Sequence, residues 1–537
     1  MSALASKTLG QFFSFYSNKN SQKVMITSLH QDYTFEEISE AVHSFSVYLK
    51  EDLKLKPGDR LAIVMPNIAQ FYVAFWAAQL IGLVTVAINP LYTSSELVHV
   101  LNDSGAKAIV VWDARAKTLQ QALPKLKKEP RVVVTKLGDM LSSPRGPLLN
   151  FICRYLKGIV PWYYIKGCDR FKKIMRKYHG KKVKPYIGSK EDLALLQYTG
   201  GTTGRSKGVM LSNSNILSNI DQVTKPYHKL GVRKHYKQLL ILPLFHIYGL
   251  CISINAMFNG ANTILISNPR DTQQVINILR YHKPEVMPLL NTLMVNLLKV
   301  RSFHRLDFSW LKVTITGGMA THKSVADEWK KVTGCVVNQG YGLSETSPIV
   351  SITSWSKKNK FIDTVGCPVD QTQVKVVSDS GVRVAKGHTG ELWVKGPQVM
   401  MGYWRNESAT KEVLKDGWFA TGDIVKLSAD GKITIVDRLK DMVIVSGFNV
   451  FPTEVEMALT THPHIIEAAV VGESNLRGNE SVKAYIVSSK PLTLANIRNH
   501  CKSLIAAYKV PTHVEFVAEL PKSTVGKVLR KSLRSAA

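Results

Sequence analysis

From about Leu61 onward, the apolar positions of this chain alternate between two rhythms. Short β-branched runs, Leu61–Met65, Ala108–Trp112 and Arg131–Thr135, read as buried strands. Between them lie longer stretches of helical composition, such as Ser94–Asp103 after a Thr-Ser start. Such alternation implies βαβ units and a mostly parallel sheet. The apolar stretch Phe71–Asn89 approaches the length of a membrane-spanning helix. Its composition switches at Gly82 from helix formers to the β-branched run Val84-Thr85-Val86, and Pro90 closes it. It therefore reads as a buried helix, a glycine turn and a buried strand.

The texture changes around residues 360–440, where Gln373–Ser378, Glu391–Val394 and Lys432–Val436 read as strands joined by turns such as Ala429-Asp430-Gly431. This predicts an antiparallel or barrel-like subdomain. After Asp437 the pattern is a small α+β one, with helices over Thr453–Leu459 and Leu494–Leu504 and strands over Ala468–Gly472 and Ser481–Val487. A domain boundary is expected near Arg438.

Composition refines this picture. A chain of 537 residues exceeds what one hydrophobic core supports, and 45% hydrophobic with 20% charged residues fits a soluble globular protein. Seventy Lys and Arg against forty Asp and Glu leave a net charge of +30, which attracts polyanions. The excess is local. Residues 151–190 hold twelve Lys and Arg against one acid, Asp169, with Phe151, Tyr155, Ile159, Trp162, Tyr163, Tyr164 and Phe171 interleaved. That combination suits lying on an anionic membrane. The first thirty residues lack the uninterrupted apolar stretch of a secretory signal, so a cytoplasmic address is expected, peripheral on the inner face of the membrane. The six cysteines are scattered, without zinc-ligand spacing or a disulfide pattern. No nucleic-acid-binding motif appears, and nucleic acid is not expected as a partner. Self-association stays open.

The densest chemistry lies in Tyr198-Thr-Gly-Gly-Thr-Thr-Gly-Arg-Ser-Lys-Gly208, after the apolar run Leu193–Leu196. Gly200, Gly201 and Gly204 let backbone amides turn toward an anion, while Thr199, Thr202, Thr203 and Lys207 add hydroxyls and a positive charge. The composition is that of a phosphate loop. Lys207 follows Ser206 rather than Gly, so it is not a Walker loop, and no G-x-G-x-x-G dinucleotide fingerprint is present.

This loop resembles the signature of the adenylate-forming superfamily, which includes acyl-CoA synthetases, nonribosomal peptide adenylation domains and luciferases. Four further stretches agree in family order: Gln339-Gly-Tyr-Gly-Leu-Ser-Glu-Thr-Ser-Pro348, Gly417-Trp-Phe-Ala-Thr-Gly-Asp423, Val436-Asp-Arg-Leu-Lys-Asp441 and Pro521-Lys-Ser-Thr-Val-Gly-Lys527. Within the superfamily the chain is most similar to bacterial long-chain fatty acyl-CoA synthetases, a likeness that extends into Ser267–Asp271, Gly396–Trp404 and Asp441–Val450. The implied fold class is α/β, with a large N-terminal adenylation domain (1–437) of βαβ sheets plus a β-barrel-like subdomain, a hinge (438–441) and a small mobile α+β domain (442–537). The implied activity is ATP-dependent activation of a medium- or long-chain fatty acid to acyl-AMP and then to acyl-CoA.

The resemblance also assigns roles. Glu345 is implied as a ligand of Mg2+, and a hard cation wants such an oxygen donor. Thr346 and the loop from Thr199 to Lys207 would hold phosphate oxygens of ATP, Asp423 the ribose hydroxyls, and Arg438 the ribose or a phosphate. Tyr341 and Gly342, with the Gly317-Gly318 turn, would flank the adenine. His246, within Phe245-His-Ile-Tyr-Gly249, would gate the acyl site and the path of the CoA thiol, with Gly249 placed where a side chain could shape the acyl pocket. Rotation of 442–537 about Lys440 would bring Lys527 to the adenylation step and Ser446 and Gly447 toward CoA. An aryl-acid:CoA ligase of the coumarate type shares all five motifs. An acyl-AMP ligase is the other alternative, although the short run from Pro348 to Asp423 leaves little room for its usual insertion.

Overall fold

A computed structural model describes residues 7–534 apart from 200–205, 230–231, 233, 354–360, 379, 446–447, 475–479, 524–525 and 527. The chain divides into two compact units. One comprises Met1–Phe361, Val369–Gln371 and Gly396–Glu412; the other comprises Ile362–Pro368, Thr372–Lys395 and Val413–Ala537.

The first unit is built on two sheets. In one, the strands Leu193–Thr199, Val84–Ile88, Arg60–Val64, Ala108–Trp112 and Arg131–Thr135 lie side by side and parallel. The predicted alternation is present with shifts of a residue at some ends. Phe71–Asn89 resolves as expected: helix Ala69–Leu80 is buried on every side, Gly82 turns at φ +74°, and Val84–Ile88 is a fully buried strand. In that helix Trp76 packs its ring 5.0 Å from Phe13, and truncating such a buried aromatic costs about 3–5 kcal/mol. The helix Ser94–Ser104 starts where Thr93 and Glu96 form a reciprocal capping box.

The second sheet of this unit runs Val337–Gly342, Val313–Thr316, Val286–Leu289, Lys237–Leu240, Asn262–Leu265 and Val24–Ser28, all parallel. Among the described residues, no helix is long and apolar enough to cross a membrane.

In the second unit, the strands Gln373–Val377, Thr389–Lys395, Trp418–Leu427 and Ile433–Arg438 pair antiparallel, as the Gly-Asp turns predict. The last hundred residues add a sheet of Ile465–Ser474, Glu480–Ser488 and His513–Phe516 with helices Pro452–Thr460 and Leu494–Lys502. Their own core gathers Val450, Val455, Leu459, Val470, Ile486, Ile497 and Cys501.

The basic stretch 151–190 is less uniform than its composition suggests. Phe171 and Ile174 of helix Phe171–Lys177 are core residues, Lys177 is paired with Asp52 at 2.9 Å, and the Tyr163 hydroxyl accepts a hydrogen bond from Arg170. The helix 171–177 is therefore docked on the protein through its apolar side, which corrects the expectation that Phe171 faces a membrane.

Candidate active site

The phosphate-loop residues Gly200, Gly201, Thr202, Thr203 and Gly204 lie outside the described residues, but the hairpin that presents them does not. Strands Leu193–Thr199 and Lys207–Ser212 pair antiparallel with Thr199 opposite Lys207, so these two residues form the mouth of the loop. The mouth is held from three directions. The Tyr198 hydroxyl donates to Asp103 at 2.5 Å, His99 Nε2 donates to the Ser206 carbonyl at 2.8 Å, and the Trp404 amide donates to the Gly208 carbonyl at 2.8 Å. Burial, and then the Asp103 carboxylate, push the Tyr198 hydroxyl far above the ordinary tyrosine range, so it remains a donor at any working pH.

The other site candidates arise from parallel strand order. In a parallel sheet the carboxyl ends share one edge, where ligands of α/β proteins bind. Leu240 leads there to His246, Thr316 to Gly317 and Gly318, and Gly342 to the turn Ser344–Thr346. His246 caps helix Ile247–Phe258, its Nδ1 accepting the Tyr248 amide at 3.2 Å, which leaves the ring proton on Nε2. Among the bonds that tie this segment to the first sheet and the turn after its strand Arg60–Val64, Gln197 Nε2 donates to the Phe245 carbonyl at 3.0 Å, and buried Asn67 accepts the Leu244 amide at 2.8 Å and donates to the Leu242 carbonyl at 2.9 Å. Gly249 does not serve the role the sequence suggests. A Cβ there would lie 2.4 Å from the Pro243 carbonyl oxygen, so glycine permits close backbone packing of the helix start and leaves no room to shape a pocket.

Tyr341 is buried on strand Val337–Gly342. Beside it, Gly342 admits the Pro348 carbonyl, which would lie 1.9 Å from a Cβ. Thr346 is fully buried. Its hydroxyl accepts the Leu343 amide and sits 2.5 Å from the Pro348 carbonyl, so reaching a phosphate would require it to exchange that partner.

Glu345 is half-buried on the same turn, and its Oε1 accepts the Tyr403 hydroxyl at 2.9 Å. Among the described residues no Lys or Arg pairs with its carboxylate. A partly desolvated carboxylate held by one neutral donor and not neutralised by a described cation suits an oxygen-loving divalent ion. Tyr403 itself comes from Gly402–Tyr403, a two-residue strand that pairs with Met210 and Val209 on the edge of the phosphate-loop hairpin. Its ring lies 5.0 Å beneath the Lys207 ammonium. Burial first, then the charge of Glu345, hold its hydroxyl well above the usual tyrosine range. Tyr403 thus joins the loop lysine to the acidic turn. The sequence reading missed this residue; the Gly-Tyr pair within Gly396–Trp404 was the available signal.

The remaining described candidates belong to the second unit. Asp423 is buried and opposite Arg438 in strand register, with Arg438 Nε 2.6 Å from its Oδ1. Lys440 is exposed on the turn Leu439–Asp441 that follows. Around it lies a cluster in which Arg530 holds Glu456 at 2.7 Å and Asp441 at 3.3 Å, and Asp437 accepts the Thr453 amide at 2.6 Å. Ser446, Gly447 and Lys527 lie outside the described residues.

A hairpin on the edge of a mostly parallel sheet, followed by a smaller α+β part, defines an α/β protein of two compact units. The chain belongs to the AMP-binding enzyme family, whose description matches residues 13–404, with the AMP-binding enzyme C-terminal domain over 454–527. It is 42% identical over 504 residues to a long-chain-fatty-acid–CoA ligase of Yersinia pestis, covering 93% of this chain and 89% of that one. A protein of the same name from Haemophilus influenzae is 41% identical over 515 residues, covering 94% and 91%. The crystal structure of the anthranilate CoA ligase AuaEII with anthranoyl-AMP superposes with a TM-score of 0.87 at 24% identity, over 99% of this chain and 97% of that chain.

Proposed function

We infer that this enzyme activates a long-chain fatty acid with ATP and transfers the acyl group to CoA. The observation that carries the reading is identity of 41–42% to two long-chain-fatty-acid–CoA ligases across more than nine-tenths of the chain. In the first step a carboxylate oxygen of the acid attacks the α-phosphorus of ATP and pyrophosphate leaves. In the second, the CoA thiol attacks the acyl carbonyl and AMP leaves. Two anions must be brought together and charge on the departing pyrophosphate offset, so catalysis is mainly positioning and electrostatics.

Thr199, Lys207 and the intervening loop would bind the phosphates, with Lys207 steadied over the Tyr403 ring. Asp423 would accept the ribose hydroxyls, with Arg438 fixing its carboxylate, and Tyr341, Gly342 and Gly318 would border the adenine. Glu345, oriented by Tyr403, would hold Mg2+, which when bound offsets charge on the phosphates. His246, fixed by its cap bond, would stand between the acyl site and the thiol path. In this reading residues 1–437 carry adenylation. Residues 442–537 turn about 438–441, so that Lys527 serves the first step while Ser446 and Gly447 face CoA in the second. The basic surface supports peripheral contact with anionic membrane, where fatty acids partition.

ATP–pyrophosphate exchange across acids from acetate to oleate, with coumarate included, tests the substrate class. Exchange should be greatest with a long-chain acid; a maximum with coumarate would assign the enzyme to the aryl-acid ligases instead.

A further inference from the structure

Among the described residues, one feature that this chemistry leaves unexplained is an exposed apolar face between Leu148 and Tyr164. Helix Arg145–Phe151 runs on into the turn Ile152–Leu156. One side of this segment is anchored: Cys153 and Val160 are buried with Ala114 and packed by Trp112, Leu137 and Leu149, and Asn150 accepts the Gly138 amide at 2.8 Å. The opposite side holds Leu148, Phe151, Tyr155, Leu156, Trp162 and Tyr164, each between 52% and 75% exposed. These side chains are not scattered singly. The Phe151 and Tyr155 rings are 5.0 Å apart, and the Arg154 guanidinium lies 4.4 Å from the Trp162 ring and 5.9 Å from Tyr155. Large apolar groups exposed together on a fixed scaffold mark an interaction surface.

Charge identifies the partner. Between Asp139 and Asp169 the sequence has no acid, while Arg145, Arg154, Lys157 and Lys166 fall within that stretch, with Lys157 and Lys166 exposed. A second copy would bring the same positive charge against it, on a chain of net charge +30. Tyrosine and tryptophan with protruding leucines beside basic residues are the combination that settles at the boundary of lipid headgroup and acyl chain.

We propose that this face docks the enzyme on anionic bilayers. Leu148, Phe151, Leu156 and Trp162 enter the headgroup boundary, and Arg154, Lys157 and Lys166 meet lipid phosphates. The proposal rests on the membrane contact inferred above and narrows it from the whole stretch 151–190, in which the apolar side of helix Phe171–Lys177 is buried, to residues 148–166.

The test is co-sedimentation of the full chain with phosphatidylcholine vesicles, with and without 30% phosphatidylglycerol (about one lipid in three, enough for a surface potential). Wild type should bind the anionic vesicles, less as salt rises. Leu156→Ser/Trp162→Ser/Tyr164→Ser should bind at least tenfold more weakly, with unchanged circular dichroism and unchanged turnover of a water-soluble acid. Lys157→Gln/Lys166→Gln should lose most of the preference for anionic lipid. If wild type binds and the triple variant binds equally, the face is wrong while membrane contact stands. If wild type binds no vesicle, membrane contact itself fails. If wild type is dimeric in solution, the triple variant monomeric and their vesicle binding equal, the face is a self-association surface and the proposal is overturned.

Discussion

Replacing Tyr403 by phenylalanine removes one hydroxyl and leaves the rest of the junction between the loop lysine and the acidic turn in place. The ring that lies 5.0 Å from Lys207 remains, as does the short strand pairing to Met210 and Val209. The lost bond is the 2.9 Å one to Glu345. A hydrogen bond to a charged acceptor contributes about 1.5–3 kcal/mol, and partial exposure of Glu345 places this one toward the lower end. If the bond orients Glu345 for Mg2+, a loss of about 1–2 kcal/mol corresponds to a fall of roughly 5- to 30-fold in adenylation. The assay is ATP–pyrophosphate exchange titrated with Mg2+, beside calorimetric binding of Mg–ATP. Tyr403→Phe should need more Mg2+ for half-maximal exchange and bind Mg–ATP more weakly, while ATP binding without the metal changes little. Tyr403→Ala, which also uncovers Lys207, should lose more. An unaltered Mg2+ requirement with exchange within twofold of wild type would refute the positioning role.

Lys527→Ala should lose adenylation by about a hundredfold, as removal of a donor to developing charge typically does, yet still convert supplied acyl-adenylate and CoA to thioester; equal loss in both steps would make the lysine merely structural. Lys440→Pro should do the reverse if 438–441 is the proposed hinge, because fixing φ there would hinder rotation, and single-turnover formation of adenylate and thioester separates the two. Asp113 is buried with Oδ1 unpartnered, and burial pushes its carboxyl up to about 6. A raised acid pKa means the folded state holds its proton more tightly than the unfolded one, so this group's contribution to stability falls as pH rises from about 4 to 6. Asp113→Asn should therefore melt above wild type at pH 7, by on the order of 2 kcal/mol, with the gap closing near pH 4; a gap independent of pH would count against it.

Much of the fold was legible because apolar periodicity and turn chemistry agreed. The switch at Gly82 separated helix from strand, the Thr-Ser start marked the helix from Ser94, and Asp430-Gly431 marked an antiparallel turn. Which sheet each strand joins was not legible, since strand order depends on contacts far apart in sequence. The same limit hid Tyr403, whose value comes from edge pairing with a hairpin some two hundred positions earlier in the chain. Gly249 was misread for a related reason: a glycine beside a candidate histidine suggests room for a side chain, yet the carbonyl of Pro243 occupies it. Charge density likewise gave the basic segment but not its orientation, and Phe171 turned inward while Trp162 turned out.

If 438–441 is the hinge proposed above, the charges around Lys440 bear on how it can be both firm and mobile. Arg530 meets Glu456, Asp441 and Asp437 at 2.7, 3.3 and 3.9 Å, and Arg534 meets Asp441 at 3.1 Å. Of these partners, only Asp437 precedes the pivot. If 441–537 turns about Lys440, the two short pairings of Arg530 and that of Arg534 lie on the moving side and travel intact. Pairings that cross the pivot include the long contact to Asp437 and the 2.6 Å bond from the Thr453 amide. Breaking a buried pair outright costs about 3–5 kcal/mol, so keeping the strong pairs on one side of the pivot confines the cost to one carboxylate. That carboxylate is already raised by burial, and turning would leave it to water or to a new donor. The position of Asp437, directly before Arg438, therefore makes it the residue whose pairing should differ most between the adenylating and thioester-forming arrangements, while Arg530 stays bound to Glu456 in both.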